Sequence, residues 1–156
     1  MLNVDSNTAT AFATWTLVIV GSWQVFGIRS EAKRERTLSV CNHYDSDPIL
    51  DAARRKITQG TRDGKLQTSP QDFSNDAISI LNYLDSIAIG IDQNVYVEKM
   101  VRDHLESILT GYVSQLLEPE LAKSLEFNAA DFSHLVALNK RWIVSYVPIC
   151  WLGSDG

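Results

Sequence analysis

The chain has 156 residues, 45% of them hydrophobic, and a formal net charge of -5. This length is typical of one domain with a single modest core. The acidic balance argues against nucleic acid as a partner, because a phosphate backbone binds clustered Lys and Arg. The two cysteines, Cys41 and Cys150, lack the spacing of a zinc or redox motif and are interpreted as free thiols, although a disulfide stays open.

The first predicted element is an apolar helix over residues 9–28. No residue between Asp5 and Arg29 is charged. About 20 residues, at roughly 1.5 Å rise each, cover the roughly 30 Å hydrocarbon layer of a bilayer. The sequence therefore predicts one transmembrane helix, preceded by a short extracytoplasmic N-terminus at residues 1–8.

A basic cluster directly after the apolar helix sets the predicted orientation. It contains Arg29, Lys33, Arg34 and Arg36. Lys and Arg remain on the cytoplasmic side, so we expect a single-pass protein of the inner membrane with its C-terminal part in the cytoplasm. A cleaved signal peptide is disfavoured because the first eight residues have no positive charge. A buried core helix is the other alternative, and the uncharged run with a basic end favours the membrane.

The stretch after the anchor, residues 29–45, is predicted to continue the helix as a charged juxtamembrane stalk, since it has no Pro or Gly. A helical domain is then predicted over residues 46–147. Asp47 before Pro48 is typical of a capped helix start, so a helix is expected over residues 48–59, ending at Gly60. Residues 60–70, with two glycines and a closing proline, are predicted to be an exposed loop.

Two amphipathic helices follow. The first begins near Ser69 and Pro70, and its apolar residues recur at helical spacing: Phe73, Ala77, Ile80, Leu81, Leu84, Ile87, Ala88 and Ile91. After a turn at residues 90–94, the second has the same spacing: Val97, Met100, Val101, Leu105, Ile108, Leu109, Tyr112, Val113 and Leu116.

The last part of the domain is predicted to be helical as well. Pro119 starts a further helical turn, and Asn128 with Asp131 caps a last helix that contributes to the core through Phe132, Leu135, Val136, Trp142 and Ile143. The apolar tail at residues 148–156 is too short to span a bilayer, so it packs on the bundle, lies at the membrane interface or meets a partner. The predicted fold class is all-α: one transmembrane helix and a cytoplasmic bundle of four to five helices.

The segment CNHYDSD is the one candidate metal cluster, with Cys41, His43, Asp45 and Asp47. Alternating His and carboxylate groups suit a divalent cation, but Asp47 is expected to be a helix cap, which favours a structural role. No other His or Glu has a spacing that completes a site. We therefore predict no metal-binding, cofactor-binding or catalytic residue, and leave open whether this segment binds a metal.

Other charged residues are interpreted as structural. His104 and Glu106 are two apart on a helix and point to different faces, unlike an HExxH pair. Glu98, Arg102 and Glu106 have the i, i+4 spacing of surface ion pairs. Asp92 and Asn94 lack the later ligands of a calcium loop. No phosphate-binding or nucleophile motif occurs, so we expect no enzyme and no small-molecule substrate.

Two stretches, DSDPILDAARRKI and LNYLDSIAIGIDQNVYVEKMVRDHLESIL, resemble an uncharacterised bacterial family of membrane-anchored proteins known as domain of unknown function 4760. The shared pattern includes Asp47 and Pro48, then Ala53, Arg54 and Arg55. It continues with helices like residues 81–90 and 101–103, and ends at an aromatic residue like Trp142. The chain departs from it in the loop before Ser69 and in the tail. The resemblance implies fold and location and assigns no functional residues.

The lipid bilayer is an expected partner, and three functional hypotheses follow. The leading one is a protein-protein interaction or assembly module that binds another protein or itself. The second is a membrane-perturbing effector with oligomerised anchors, since small residues such as Ala9, Ala13, Thr16 and Gly21 allow close helix contact. The third is a metal-dependent enzyme based on the CNHYDSD segment.

Overall fold

The computed structural model describes the backbone of residues 6–144 and the side chains of residues 14–144. Within that part the chain is all-α, as predicted. The helices are α1 (Ser6–Ser46), α2 (Pro48–Arg62), α3 (Lys65–Thr68), α4 (Ser74–Asp92), α5 (Glu98–Leu116), α6 (Pro119–Ser124) and α7 (Ser133–Val144). Short 3-10 turns at Pro70–Phe73 and Ala129–Phe132 precede α4 and α7. Cys150 and the predicted tail at residues 148–156 lie outside the described residues.

The first helix, α1, is continuous over 41 residues, so it is about 60 Å long. The prediction that the stalk continues the apolar helix is confirmed. Its described N-terminal part is exposed, whereas Thr37, Cys41 and Tyr44 near its C-terminal end are buried against the other helices. The other helices therefore pack against the last third of α1.

The membrane-spanning prediction for residues 9–28 is not supported. Among the side chains that the structure describes, from residue 14 onward, no helix combines the length and the apolar character needed to cross a bilayer. The predicted span begins at residue 9, so its first five side chains lie outside the described part.

The second helix, α2, begins where the sequence predicts. The Asp47 carboxylate accepts hydrogen bonds from the backbone N–H groups of Ile49 and Leu50 at 2.7 and 3.1 Å, and Pro48 occupies the first helical position. These bonds satisfy donors that a helix start leaves unpaired. Hydrogen bonding to the backbone of Leu50 also holds the pKa of Asp47 below its usual range.

The prediction of a loop at residues 60–70 is wrong, although most of these residues are exposed as predicted. Helix α2 continues through a buried Gly60 to Arg62, and α3 follows with Leu66 fully buried. The Phe73 ring explains the glycine, because a Cβ on Gly60 would lie 2.5 Å from two ring carbons. The domain thus has six α-helices after α1 in the described chain, more than the four to five predicted.

The core is built around α4, which packs chiefly against α2 and α7. All eight residues predicted for its apolar face, including Phe73 in the preceding turn, are buried. Val101, Leu105, Leu109 and Leu116 of α5 complete one side, and Leu135 and Trp142 of α7 complete another. Ile143 was predicted to be in this core but is 49% exposed.

Candidate interaction groove

A groove opens between α2 and α5, at the C-terminal end of α1. Its cavity volume is about 390 Å³. The lining combines aliphatic and aromatic carbons with side-chain hydroxyl, amide and guanidinium groups: Tyr44, Arg54, Ile57, Thr58, Thr61, Arg62, Ser107, Ile108, Gly111, Tyr112 and Gln115. This volume is within the range of small binding pockets in proteins.

Arg54 is one of two arginines that line the groove. It lies over the Tyr44 ring, 4.5 Å from the ring centroid, where a cation is attracted by the ring face. Its two terminal nitrogens lie 3.5 Å from Asp45 and 3.3 Å from Asp51. The Nε atom is buried and has no hydrogen-bond partner among the described residues. Arg54 is therefore held in place by an aromatic ring and two carboxylates.

Two tyrosines form the inner wall. Tyr44 is 1% exposed, and burial, followed by the nearby Tyr112, raises the pKa of its hydroxyl well above its usual range. Burial also raises the pKa of Tyr112. Both hydroxyls are thus neutral at physiological pH, and they hydrogen-bond to each other inside the wall.

The outer end of the groove is polar. Gln115 donates a hydrogen bond from Nε2 to the Thr61 hydroxyl at 2.7 Å, which connects α5 to α2. Arg62 stands exposed one residue further along α2. The groove therefore has an aromatic and aliphatic wall at one end and hydrogen-bonding groups at the other.

The residues of the CNHYDSD segment do not converge on one point. Cys41 is a buried free thiol, and burial, with Asp45 nearby, raises its pKa. His43 lies 3.1 Å from the Asp47 helix cap, whereas Asp45 lies 3.1 Å from His104 and 3.5 Å from Arg54. Throughout the described chain, no three His, Cys, Asp or Glu side chains are grouped so that they could hold a metal ion.

The charged residues that the sequence suggested as surface pairs have mixed outcomes. Arg102 and Glu106 form the predicted i, i+4 pair at 3.0 Å. Glu98 was predicted to pair with Arg102 but instead accepts hydrogen bonds from Arg141 and from the Trp142 indole, at 3.0 and 2.9 Å. These bonds join α5 to α7.

Asp92 and Asn94 also serve the fold. The Asp92 carboxylate lies 3.0 Å from His134 and 3.4 Å from Arg141. Asn94 accepts a hydrogen bond from Lys33 of α1 and adopts a left-handed backbone, with φ of 59°, which Asn tolerates better than most residues. Asp92 therefore connects α4 to α7, and Asn94 connects the loop after α4 to α1.

Sequence reasoning did not identify the groove. Its principal residues, Tyr44, Arg54 and Tyr112, come from three helices and are separated by ten and 58 positions. The one available signal was the Ala53-Arg54-Arg55 segment within the family resemblance, which did not indicate what Arg54 contacts. Only packing brings these side chains together.

The comparisons with known proteins agree with that resemblance. The family described as Domain of unknown function (DUF4760) matches residues 11–142, which is most of the chain. No curated protein and no solved structure gave a match. The chain belongs to the DUF4760 family.

Proposed function

We propose that this protein is a membrane-anchored interaction module, with α1 as the anchor and the helical domain binding another protein or a second copy. It is proposed to act by binding and not as an enzyme. Its location is the inner membrane, with a single pass, the N-terminus outside and the domain in the cytoplasm.

The observation that carries the proposal is the exposed apolar surface of α1. Trp15, Leu17, Trp23 and Phe26 are 68 to 79% exposed. Consecutive residues of a helix point about 100° apart, so the exposed run Leu17, Val18, Ile19 and Val20 covers every face. This one turn is therefore apolar on all sides, which suits the interior of a bilayer better than its surface.

The basic cluster that follows supports the orientation. Arg29, Lys33, Arg34 and Arg36 outnumber Glu31 and Glu35 within that stretch. Arg and Lys near the end of a span favour the cytoplasmic side. The domain, which follows the cluster, is then cytoplasmic.

Anchoring is tested by placing charges in α1 and fractionating cells. Leu17→Lys combined with Val20→Lys puts two cations into the proposed span, each costing about 2.5–3.5 kcal/mol at a helix centre. We expect this variant to leave the membrane fraction, or to become extractable by alkaline carbonate, while the parent stays. Leu38→Lys is the matched control, because Leu38 is 52% exposed on the same helix beyond the basic cluster. Carbonate extraction of the parent would overturn anchoring.

Binding through the groove is tested by site-specific photocrosslinking of the intact chain in native membranes. A photoreactive amino acid replaces Ser107, which lines the groove, or Ser114, which is exposed on α5 outside the groove lining. A product at position 107 that position 114 does not give supports the groove as the binding surface, and its mass distinguishes another protein from a second copy. Identical patterns at both positions would contradict that role.

A further inference from the structure

The structure places one particular end of the domain next to the basic cluster. Lys33 of α1 bonds to Asn94 in the α4–α5 loop, the Thr37 hydroxyl accepts the Val97 backbone N–H at 2.9 Å, and Asp45 lies 3.1 Å from His104. In these three contacts the residue numbers on α1 and on the partner segment increase together, so α5 runs parallel to α1. The loop at residues 93–97 is therefore level with the basic cluster, about 6 Å along the axis from Arg29.

The last turn of α7 lies at the same end. Arg141 contacts Asp92 at 3.4 Å and Glu98 at 3.0 Å, and both acidic residues flank that loop. The Trp142 side chain is 1% exposed and anchors this turn to the core. The next two residues, Ile143 and Val144, are 49% and 68% exposed. An exposed apolar pair therefore lies at the end of the domain that is level with Lys33.

The sequence continues apolar from this point. Residues 145–156 include Tyr146, Val147, Ile149, Trp151 and Leu152. Tyr and Trp favour the boundary between water and lipid.

From these placements we infer that the domain rests on the bilayer through a lipid-facing end, formed by the loop at residues 93–97 and the last turn of α7. This inference rests on the proposed anchoring of α1. The occupant is a lipid surface with anionic headgroups. Arg29, Arg34 and Arg36 are exposed at this level, and basic residues next to a membrane surface are attracted to anionic lipid headgroups.

The lipid-facing end also fixes where the groove lies. Ser114 is 17 residues beyond Val97 on α5, about 25 Å further from the bilayer, and Gln115 of the groove is next to it. A domain held at both α1 and α7 would present the α2–α5 groove away from the membrane, toward cytoplasmic partners.

Depth measurement with a fluorescent label tests this inference. The full chain, with Cys41→Ala and Cys150→Ser, carries a single labelled cysteine at Val18→Cys, Val144→Cys or Ser114→Cys. Each variant is reconstituted into vesicles of phosphatidylcholine and phosphatidylglycerol, with or without nitroxide-labelled lipid. We expect strong quenching at positions 18 and 144, and fluorescence at position 114 that is the same with and without nitroxide.

The outcomes separate the two proposals. Quenching at 18 with none at 144 would overturn the lipid-facing end and leave anchoring in place. Absence of quenching at 18 would overturn the anchoring on which the inference rests. Circular dichroism of each labelled protein shows whether it is folded, and Ile143→Cys provides a second position in the same turn if Val144→Cys does not fold.

Discussion

Two glycines show how much a single side-chain position depends on its surroundings. Gly60 in α2 faces the Phe73 ring, and a Cβ there would lie 2.5 Å from two ring carbons. Gly111 in α5 has nothing within 4 Å of the same atom. Both are helical, and glycine costs a helix about 1 kcal/mol relative to alanine. The first glycine is therefore required by packing, and the second is not required by any contact.

We expect Gly60→Ala and Gly111→Ala to change stability in opposite directions. At position 60 the added methyl group displaces a buried ring, which costs about 1–3 kcal/mol and outweighs the gain in helix propensity. At position 111 the methyl group enters open space, and the protein gains up to about 1 kcal/mol. Urea unfolding of the full chain in detergent measures both. Equal stabilisation by the two variants would show that Phe73 does not restrict position 60.

At the scale of elements, helix ends are stabilised in two different ways. Helix α2 is capped by its own neighbour Asp47, and Asn128 caps the turn before α7 by accepting the Ala130 N–H at 3.0 Å. By contrast, α5 has no side-chain cap of its own, and the Val97 N–H at its start donates to Thr37 of α1. Similarly, Asp85 of α4 accepts the Leu135 N–H near the start of α7 at 2.9 Å.

Thr37→Val tests the cap that joins α1 to α5. Thr37 is fully buried, and its hydroxyl donates to the Lys33 carbonyl at 2.7 Å while accepting from Val97. Valine has nearly the same shape but no oxygen, so the Val97 N–H loses its partner, at a cost of about 1–3 kcal/mol. Ser39→Val on the exposed side of α1 is the control. Faster amide exchange at Val97 is expected in Thr37→Val alone; unchanged exchange and stability would contradict the bridging role.

At the scale of the whole molecule, long-range ion pairs connect helices that are distant in sequence. Asp92 at the end of α4 contacts His134 and Arg141 of α7, and Arg141 also reaches Glu98 of α5. The hydrogen bond from His134, with the charge of Arg141, holds the pKa of Asp92 below its usual range. The ionised carboxylate therefore favours the folded state.

The stability of the molecule should accordingly depend on pH through Asp92. A lowered folded-state pKa stabilises the fold above the unfolded pKa of about 3.9, and this contribution is lost as the pH falls through the folded value. Because Asp92 is about one-third exposed, we expect Asp92→Asn to lose at most about 1 kcal/mol at pH 7. The difference from the parent should vanish near pH 2. Thermal unfolding across this range, with Asp131→Asn as the exposed control, measures it; an equal loss at pH 2 and pH 7 would argue against the ion pair.

The sequence by itself determined the features that depend on neighbours along the chain. The start of α2 is set by the hydrogen bonds that Asp47 accepts from the next residues and by the fixed backbone angle of Pro48. The buried face of α4 follows from the spacing of its apolar residues, since a helix with that spacing must bury its apolar side. The continuity of α1 follows equally from the absence of Pro and Gly after Ile28.

The tertiary structure alone decided the features that depend on distant residues. The sequence predicts that Gly60 ends a helix, and this is wrong. The reason for the glycine is its contact with the Phe73 ring, which is 13 positions away and is made only in the folded chain. The groove could not be predicted either, since Tyr44, Arg54 and Tyr112 meet only when α1, α2 and α5 pack. The same holds for the last turn of α7, which lies level with Lys33 of α1. The spacing of apolar residues along one helix indicates which side of it is buried. Which residues of other helices pack on that side is determined only when the helices come together.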